Sequence, residues 1–343
     1  MLRDGTVFIL GAAVSAEVGF PLGGKLKEEI SNLLPARADQ VGPKQFPLVD
    51  AMDRAIGHRW FGKATELRRG LQLADSIDNL VEHRTRDDPD LARVAKMGIA
   101  AAIAYGEMRG ANGLRLTSGL KDTSYVRIFK LIVSGCPRDR LADALERVQF
   151  ITFNYDRSLE VFLRVALEHY SGLDARSAAD LASKVEIHHV YGSLGSVPES
   201  LEYGYGQEPN ALSITAMAAG IRTYSEEIES ERGDDLRRVI RDARRVIVLG
   251  CAHHPRNMKL LDPDGLAGFQ EVYGTQYLEP PEDAVSRPPF AEFTLPAVQA
   301  FKTAINHWQY RSPNRIEVTD FRIEPLTSLQ LIARYGSSWL DHG

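Results

Sequence analysis

The stretch Thr6-Val7-Phe8-Ile9-Leu10-Gly11-Ala12-Ala13-Val14-Ser15-Ala16-Glu17-Val18-Gly19-Phe20-Pro21 decides the fold. Val7 to Leu10 is a short unbroken apolar run, the pattern of a strand buried on both faces in a parallel sheet. Gly11 ends the run, and the small Ala12, Ala13 and Ser15 let a turn of backbone approach a neighbour closely. Helix formers lead from Ser15 toward Lys25–Ile30. A strand, a small-residue turn and a helix N-terminus gather N–H groups and the positive end of a helix dipole, which favours an anion there. Dinucleotide-binding folds use this logic. An ordinary strand-to-helix turn uses the same residues, and the spacing Gly11…Gly19 is not Gly-x-Gly-x-x-Gly, so the stretch alone leaves the ligand open.

Outward from it, Leu34-Pro35 breaks the first helix, and residues 46–146 read as almost entirely helical. Phe61 to Arg84 carries an apolar stripe at helical spacing, Leu91 to Met108 is Ala-rich with its own stripe, and Tyr125 to Val133 and Arg138 to Glu146 follow. Strand patterns resume at Val148–Phe153, Lys184–Tyr191 and Arg245–Gly250, with helical segments at Arg157–Tyr170, Glu226–Ala243 and from Met258. A Pro-rich loop from Pro280 to Pro289, a helix over Pro296–Trp308, an edge strand over Arg315–Val318 and a terminal helix over Ser328–Leu340 complete the reading. Strands alternating with helices predict an α/β fold: a Rossmann-like, mostly parallel sheet with helices on both faces. The domain division is 1–34 with 147–343 for that sheet domain and 35–146 for a helical insertion subdomain.

The 343 residues, 44% hydrophobic and 25% charged, are ordinary for a globular protein with an ample core. A net charge of −5 gives no global basic footprint for direct nucleic-acid binding. No apolar run has transmembrane length, and Met1 to Asp4 runs straight into a strand without a signal core, so the expectation is a cytoplasmic protein away from membranes. The two cysteines, Cys136 and Cys251, cannot build a four-thiolate zinc site.

Ligands of an open parallel sheet sit beyond the carboxyl ends of its strands. Four strand ends here carry chemistry: Gly11 to Ser15; Asn154-Tyr155-Asp156; His188 and His189 with Gly192-Ser193; and Gly250-Cys251-Ala252-His253-His254 with Asn257 behind. All four should converge on one crevice. Taken singly, Asn154 or Asp156 reads equally as a helix N-cap. His188 and His189 must face opposite sides of their strand. Adjacent His253 and His254, without a cysteine or carboxylate cluster, do not make a metal site, and none is expected.

Together these residues resemble the sirtuin-like, silent-information-regulator type of NAD-consuming fold across residues 5 to about 262. Gly11-Ala12-Ala13-Val14-Ser15 with Gly19-Phe20-Pro21 resembles the first motif, Gly-Ala-Gly-x-Ser…Gly-Ile-Pro. Thr152-Phe153-Asn154-Tyr155-Asp156 resembles Thr-Gln-Asn-x-Asp. His189-Val190-Tyr191-Gly192-Ser193 is a loose match to His-Gly-Ser, and Gly250-Cys251-Ala252 with Asn257 resembles the fourth motif. The segment Ala74–Leu80 is similar to one in the bacterial anti-phage defence branch, whose members degrade NAD. Ala13 stands in place of a glycine, two residues separate His189 from Gly192, and the zinc module of the deacylases has no counterpart.

The resemblance implies an NAD glycohydrolase that releases nicotinamide and ADP-ribose, with NAD as substrate and no zinc. Asn154, His189 and Asp156 would be catalytic: Asp156 at the nicotinamide end, Asn154 orienting water or ribose, and His189, or alternatively His188, as base. Gly11, Ala12, Ala13, Ser15, Gly19, Pro21, Gly192 and Ser193 would line the phosphates, with Gly250 and Asn257 toward the adenosine half. An NAD-dependent protein deacylase and a non-catalytic sensor of NAD or ADP-ribose are the alternatives. An enzyme that drains NAD harms its own cell unless gated. The expectation is therefore a homo-oligomer with an activating partner, such as a hexameric translocase ATPase or a nucleic-acid-guided protein.

Overall fold

The computed structural model describes residues 1–74, 76–84, 87–114, 122–197, 204–222, 226, 231–251, 255–261, 270–275, 303, 318–324 and 326–341. Six strands form one sheet: β1 (Thr6–Leu10), β2 (Val148–Thr152), β3 (Glu186–His189), β4 (Arg245–Leu249), β5 (Gln270–Thr275) and β6 (Val318–Glu324). Their order is β3-β2-β1-β4-β5-β6, and every pairing is parallel. This is the doubly wound arrangement expected from the alternation of strands and helices, with the switch point between β1 and β4. β1 and β4 are buried along their whole length, as central strands covered on both faces must be. The register sets Leu10 beside Thr152 on one side and Leu249 on the other, and Thr152 beside His189, so the four loaded strand ends share one edge.

The helices are α1 (Ala12–Ala16), α2 (Gly23–Leu33), α3 (Phe46–Ile56), α4 (Trp60–Leu73), α5 (Ile77–Arg84), α6 (Pro89–Leu114), α7 (Ser124–Val133), α8 (Leu141–Glu146), α9 (Ser158–Ser171), α10 (Ala175–Ala182), α11 (Ala211–Ala219), α12 (Glu231–Asp242), α13 (Pro255–Leu260) and α14 (Ser328–Tyr335). The helix formers that lead from Ser15 toward Lys25–Ile30 read as a first helix. It is instead two, because Gly19 turns at φ +101° and Pro21 follows before α2 begins. The stripe from Phe61 to Arg84 likewise divides into α4 and α5. The terminal helix stops at Tyr335, and a 3₁₀ turn carries Gly336–Trp339. The edge strand is β6, starting at Val318 where the sequence reading ended it; residues 311–317 lie outside the described residues, as do the Pro-rich loop and the helix over 296–308 apart from Thr303.

The long helix α6 lies at the centre of the helical stretch 46–146. Ile99 to Tyr105 are all buried along it. Its glycines admit the β1 loop: a β carbon on Gly106 would lie 2.9 Å from the Phe20 ring, and one on Gly110 only 2.6 Å from the carbonyl oxygen of Val18. Apolar residues of α3 to α8 and of the sheet strands belong to one continuous core, which also takes in α11 through Ile214 and Met217. Midway along the paired strands β1 and β2, Phe8 stacks on Phe150 with centroids 5.4 Å apart, and Trp339 closes edge-on at 6.4 Å.

Candidate active site

The turn after β1 and the turn after β4 are pressed together. Gly11 N–H donates to Leu249 O at 2.9 Å, and Ala13 N–H to Gly250 O at 3.2 Å. Gly250 holds φ +65°, a conformation that glycine adopts without steric cost. A β carbon on Gly11 would sit 2.4 Å from Gly250 O and 2.8 Å from Cys251 Sγ. These glycines therefore serve loop-to-loop contact at the switch point. The N–H of Ala13, a candidate phosphate donor in the sequence reading, is spent on Gly250, and that of Val14 on Gly11 O at 3.1 Å. Ala12 is half-buried at the start of α1.

Asn154 ties β2 to this turn. Its side-chain amide donates to Gly11 O at 3.1 Å and to Ser15 Oγ at 2.8 Å. Its own N–H donates to Thr152 Oγ1 at 3.1 Å, fixing the bend after the strand. Ser15 Oγ also lies 3.2 Å from the hydroxyl of Tyr125, which comes from α7. Behind it Asp156 is buried, accepting from the N–H of Ser158 at 3.1 Å and from the Ser158 hydroxyl. Burial pushes the Asp156 carboxyl up, against the pull of the Ser158 and Ser15 hydroxyls. Burial pushes the Tyr125 phenol up as well.

His189 reaches from β3 to the same turn. Its Nδ1 lies 2.8 Å from the main-chain oxygen of Asn154, and its Nε2 2.7 Å from Glu160 Oε1 on α9. His188 points to the other face, with Nε2 2.9 Å from Glu186 Oε1 at the sheet edge. Of the pair, the structure brings only His189 to Asn154.

Gly192 has φ +72°, and a β carbon there would fall 1.9 Å from Gly220 O, so its glycine serves the crossing of two loops. Ser193 closes a local turn with Gly195, donating to its carbonyl at 3.4 Å. Tyr191 spans onward, its hydroxyl donating to Asn257 Oδ1 at 2.7 Å and its ring tilted over Tyr155. Asn257 thus reaches the cluster through Tyr191, from α13. Gly19 lies against Gly110 of α6, and Pro21, two residues on, is buried. His253 and His254 fall outside the described residues.

Two acidic partners, the buried Glu107 and the half-buried Asp78, were not legible in the sequence. Glu107 of α6 holds Arg157 in a bidentate pair, Nε to Oε1 at 3.0 Å and Nη2 to Oε2 at 2.5 Å, and also accepts the Arg157 N–H at 3.1 Å. Both side chains are 1% exposed. Burial drives the Glu107 carboxyl up, and the guanidinium opposes it. Asp78 of α5 accepts from the Tyr155 hydroxyl. Glu107, Asp78 and Glu160 all lie in helical stretches, where nothing distinguishes an inward carboxylate from a solvated one until the helix is placed. Beside Tyr155 a crevice of only about 10 Å³ is lined by Asp78, Lys96, Ile99, Ile221 and Arg222 among others.

Among the described residues no three His, Cys, Asp or Glu side chains gather as metal ligands, and no helix is long and apolar enough to cross a membrane. No protein-family model matches the chain, and no curated protein matches it in sequence.

Proposed function

We propose that the chain is an NAD glycohydrolase. Water adds at C1′ of the nicotinamide ribose, the C–N bond to the ring breaks, and nicotinamide, ADP-ribose and a proton leave. The observation that carries this reading is the Asn154 amide, which donates at once to Gly11 O and Ser15 Oγ and so draws the β2 end beneath the β1 turn at the switch point. An oxocarbenium-like transition state needs a held carboxamide, compensation for positive charge, and a placed nucleophile. Asp156, with the Ser15 and Ser158 hydroxyls beside it, suits the carboxamide and the charge. Asn154 suits the ribose or the water. The resemblance of Thr152–Asp156 and of the β1 turn to the sirtuin-like motifs supports the same substrate.

On this reading the enzyme acts in the cytoplasm as an effector of bacterial anti-phage defence by NAD depletion. The chain assembles as a homo-oligomer of low activity, and an activating partner such as a hexameric translocase ATPase or a nucleic-acid-guided protein raises that activity. A protein deacylase uses the same bond cleavage, but the two cysteines leave it without that family's zinc module.

The test is incubation of the purified chain with NAD, alone and with an acetylated peptide, followed for free nicotinamide. Release without peptide is the expected result. Release only with peptide makes the protein a deacylase, and binding of NAD or ADP-ribose without any release makes it a sensor.

A further inference from the structure

His189 faces two acceptors. The main-chain oxygen of Asn154, 2.8 Å from Nδ1, has no proton to give, so Nδ1 carries a hydrogen. The carboxylate of Glu160, 2.7 Å from Nε2, accepts in the same way. An imidazole that donates from both nitrogens is a cation and has no lone pair for a substrate proton. The side chain is 10% exposed, so little water competes for either nitrogen.

We infer that His189 is a positioning residue and not a base: an imidazolium, fixed by Glu160, that holds the Asn154 main chain and thereby aims the Asn154 amide at Gly11 and Ser15. The linkage crosses three elements. His189 ends β3, Asn154 follows the neighbouring β2, and Glu160 lies in the first turn of α9. The charged and titratable groups acting on the ring are Glu160 from α9 and Asp156 from the turn after β2. Burial pulls the ring toward neutrality. The Glu160 charge and hydrogen bond, the Asn154 carbonyl and Asp156 together outweigh it, so the His189 pKa moves up. The geometry and the charge balance agree.

The sign separates the two roles. If the cation is the working form, order in the site is complete below the ordinary imidazole pKa of about 6.5 and is lost as pH rises through the higher value His189 has in the fold. A general base gives the reverse, with activity lost as pH falls.

The activity arm of the test rests on the proposed NAD cleavage, and the spectroscopic arm does not. In ¹⁵N NMR of the full chain at pH 7, with His189→Gln assigning the signal, wild type is expected to show both ring nitrogens protonated, Glu160→Asp likewise, and Glu160→Gln a neutral ring. The kcat profile of wild type should fall on its alkaline side, and Glu160→Gln should move that fall to lower pH, with kcat at pH 8 reduced roughly 10- to 100-fold. A neutral His189 ring in wild type at pH 7, or an acid-side limb that moves with Glu160→Gln, overturns the inference. A wild-type chain that leaves NAD intact overturns the proposed function, while the ring signals still decide the state of His189.

Discussion

The β carbon that Gly11 lacks would lie 2.4 Å from the carbonyl oxygen of Gly250, at the point where the turns after β1 and β4 meet. Two further obstacles, Cys251 Cα at 2.7 Å and its Sγ at 2.8 Å, stand beside that oxygen. Backbone cannot rotate out of the way as a side-chain tip can. Gly11→Ala should therefore separate the loops and cost about 1–3 kcal/mol, as overpacking does. Gly24→Ala, early in α2 with nothing within 4 Å, should be neutral or stabilise by up to about 0.5–1 kcal/mol. Urea denaturation of the two variants checks the contrast; equal losses would contradict it.

The buried Glu107–Arg157 pair joins α6 to the turn that carries Asn154 and Asp156. Glu107→Gln leaves a buried guanidinium without its counter-charge, for a cost of about 3–5 kcal/mol. Glu107→Gln with Arg157→Met removes the stranded charge, so the double variant should be more stable than the sum of the single losses allows. A double-mutant cycle by denaturation should return a coupling of roughly 1–3 kcal/mol. Additive losses would mean that the pair does not act as a unit.

Cys251 and Cys136 differ in reactivity. Burial pushes the Cys251 thiol up to about 12, and its Sγ lies against the Ile9 and Leu249 carbonyls at 3.9 and 3.7 Å. Cys136 is only half-buried, although burial raises it too. Thiolate is the reactive form, so at pH 8 a thiol reagent should modify Cys136 on the native protein and reach Cys251 only on unfolding. Peptide mapping after a short native pulse gives the answer, and early modification of Cys251 would show that the β1–β4 junction opens.

The legible parts of this fold are those where a continuous apolar run has one explanation. Val7–Leu10, Phe150–Ile151 and Val246–Leu249 are buried on both faces, and their order with the helices between them implies the parallel sheet. β5 escaped notice because Gln270, Glu271 and Gly274 surround only Val272 and Tyr273, and its partners on either side supply the pairing that the sequence does not display. α11 was missed for a different reason: Ala211–Ala219 is apolar or small almost throughout, so it shows no polar face from which to read a period. The convergence of Asn154, Ser15, Gly11 and His189 follows from their places at strand ends. Glu160 and Glu107 could not be read, because their roles depend on how far α9 and α6 are rotated.

The hydroxyl of Tyr191 gives a last test, one that separates binding from bond cleavage. It donates to Asn257 Oδ1 at 2.7 Å and so connects the segment after β3 to α13, on the far side of the switch point from Asn154. Tyr191→Phe keeps the ring against Tyr155 and Phe153 and removes this bond. The stability loss should be about 0.5–1.5 kcal/mol. If α13 borders the adenosine half of NAD, far from the broken bond, loosening it weakens ground state and transition state alike, so KM should rise while kcat stays near wild type. Asn154→Ala removes the amide that holds Gly11 O and Ser15 Oγ in place at the reacting end and should lower kcat by roughly 10²-fold, the scale for misplacing reacting groups by about 1 Å. Steady-state kinetics of nicotinamide release on the two variants shows whether the effects divide this way. A fall in kcat with unchanged KM for Tyr191→Phe would place α13 at the reacting end instead.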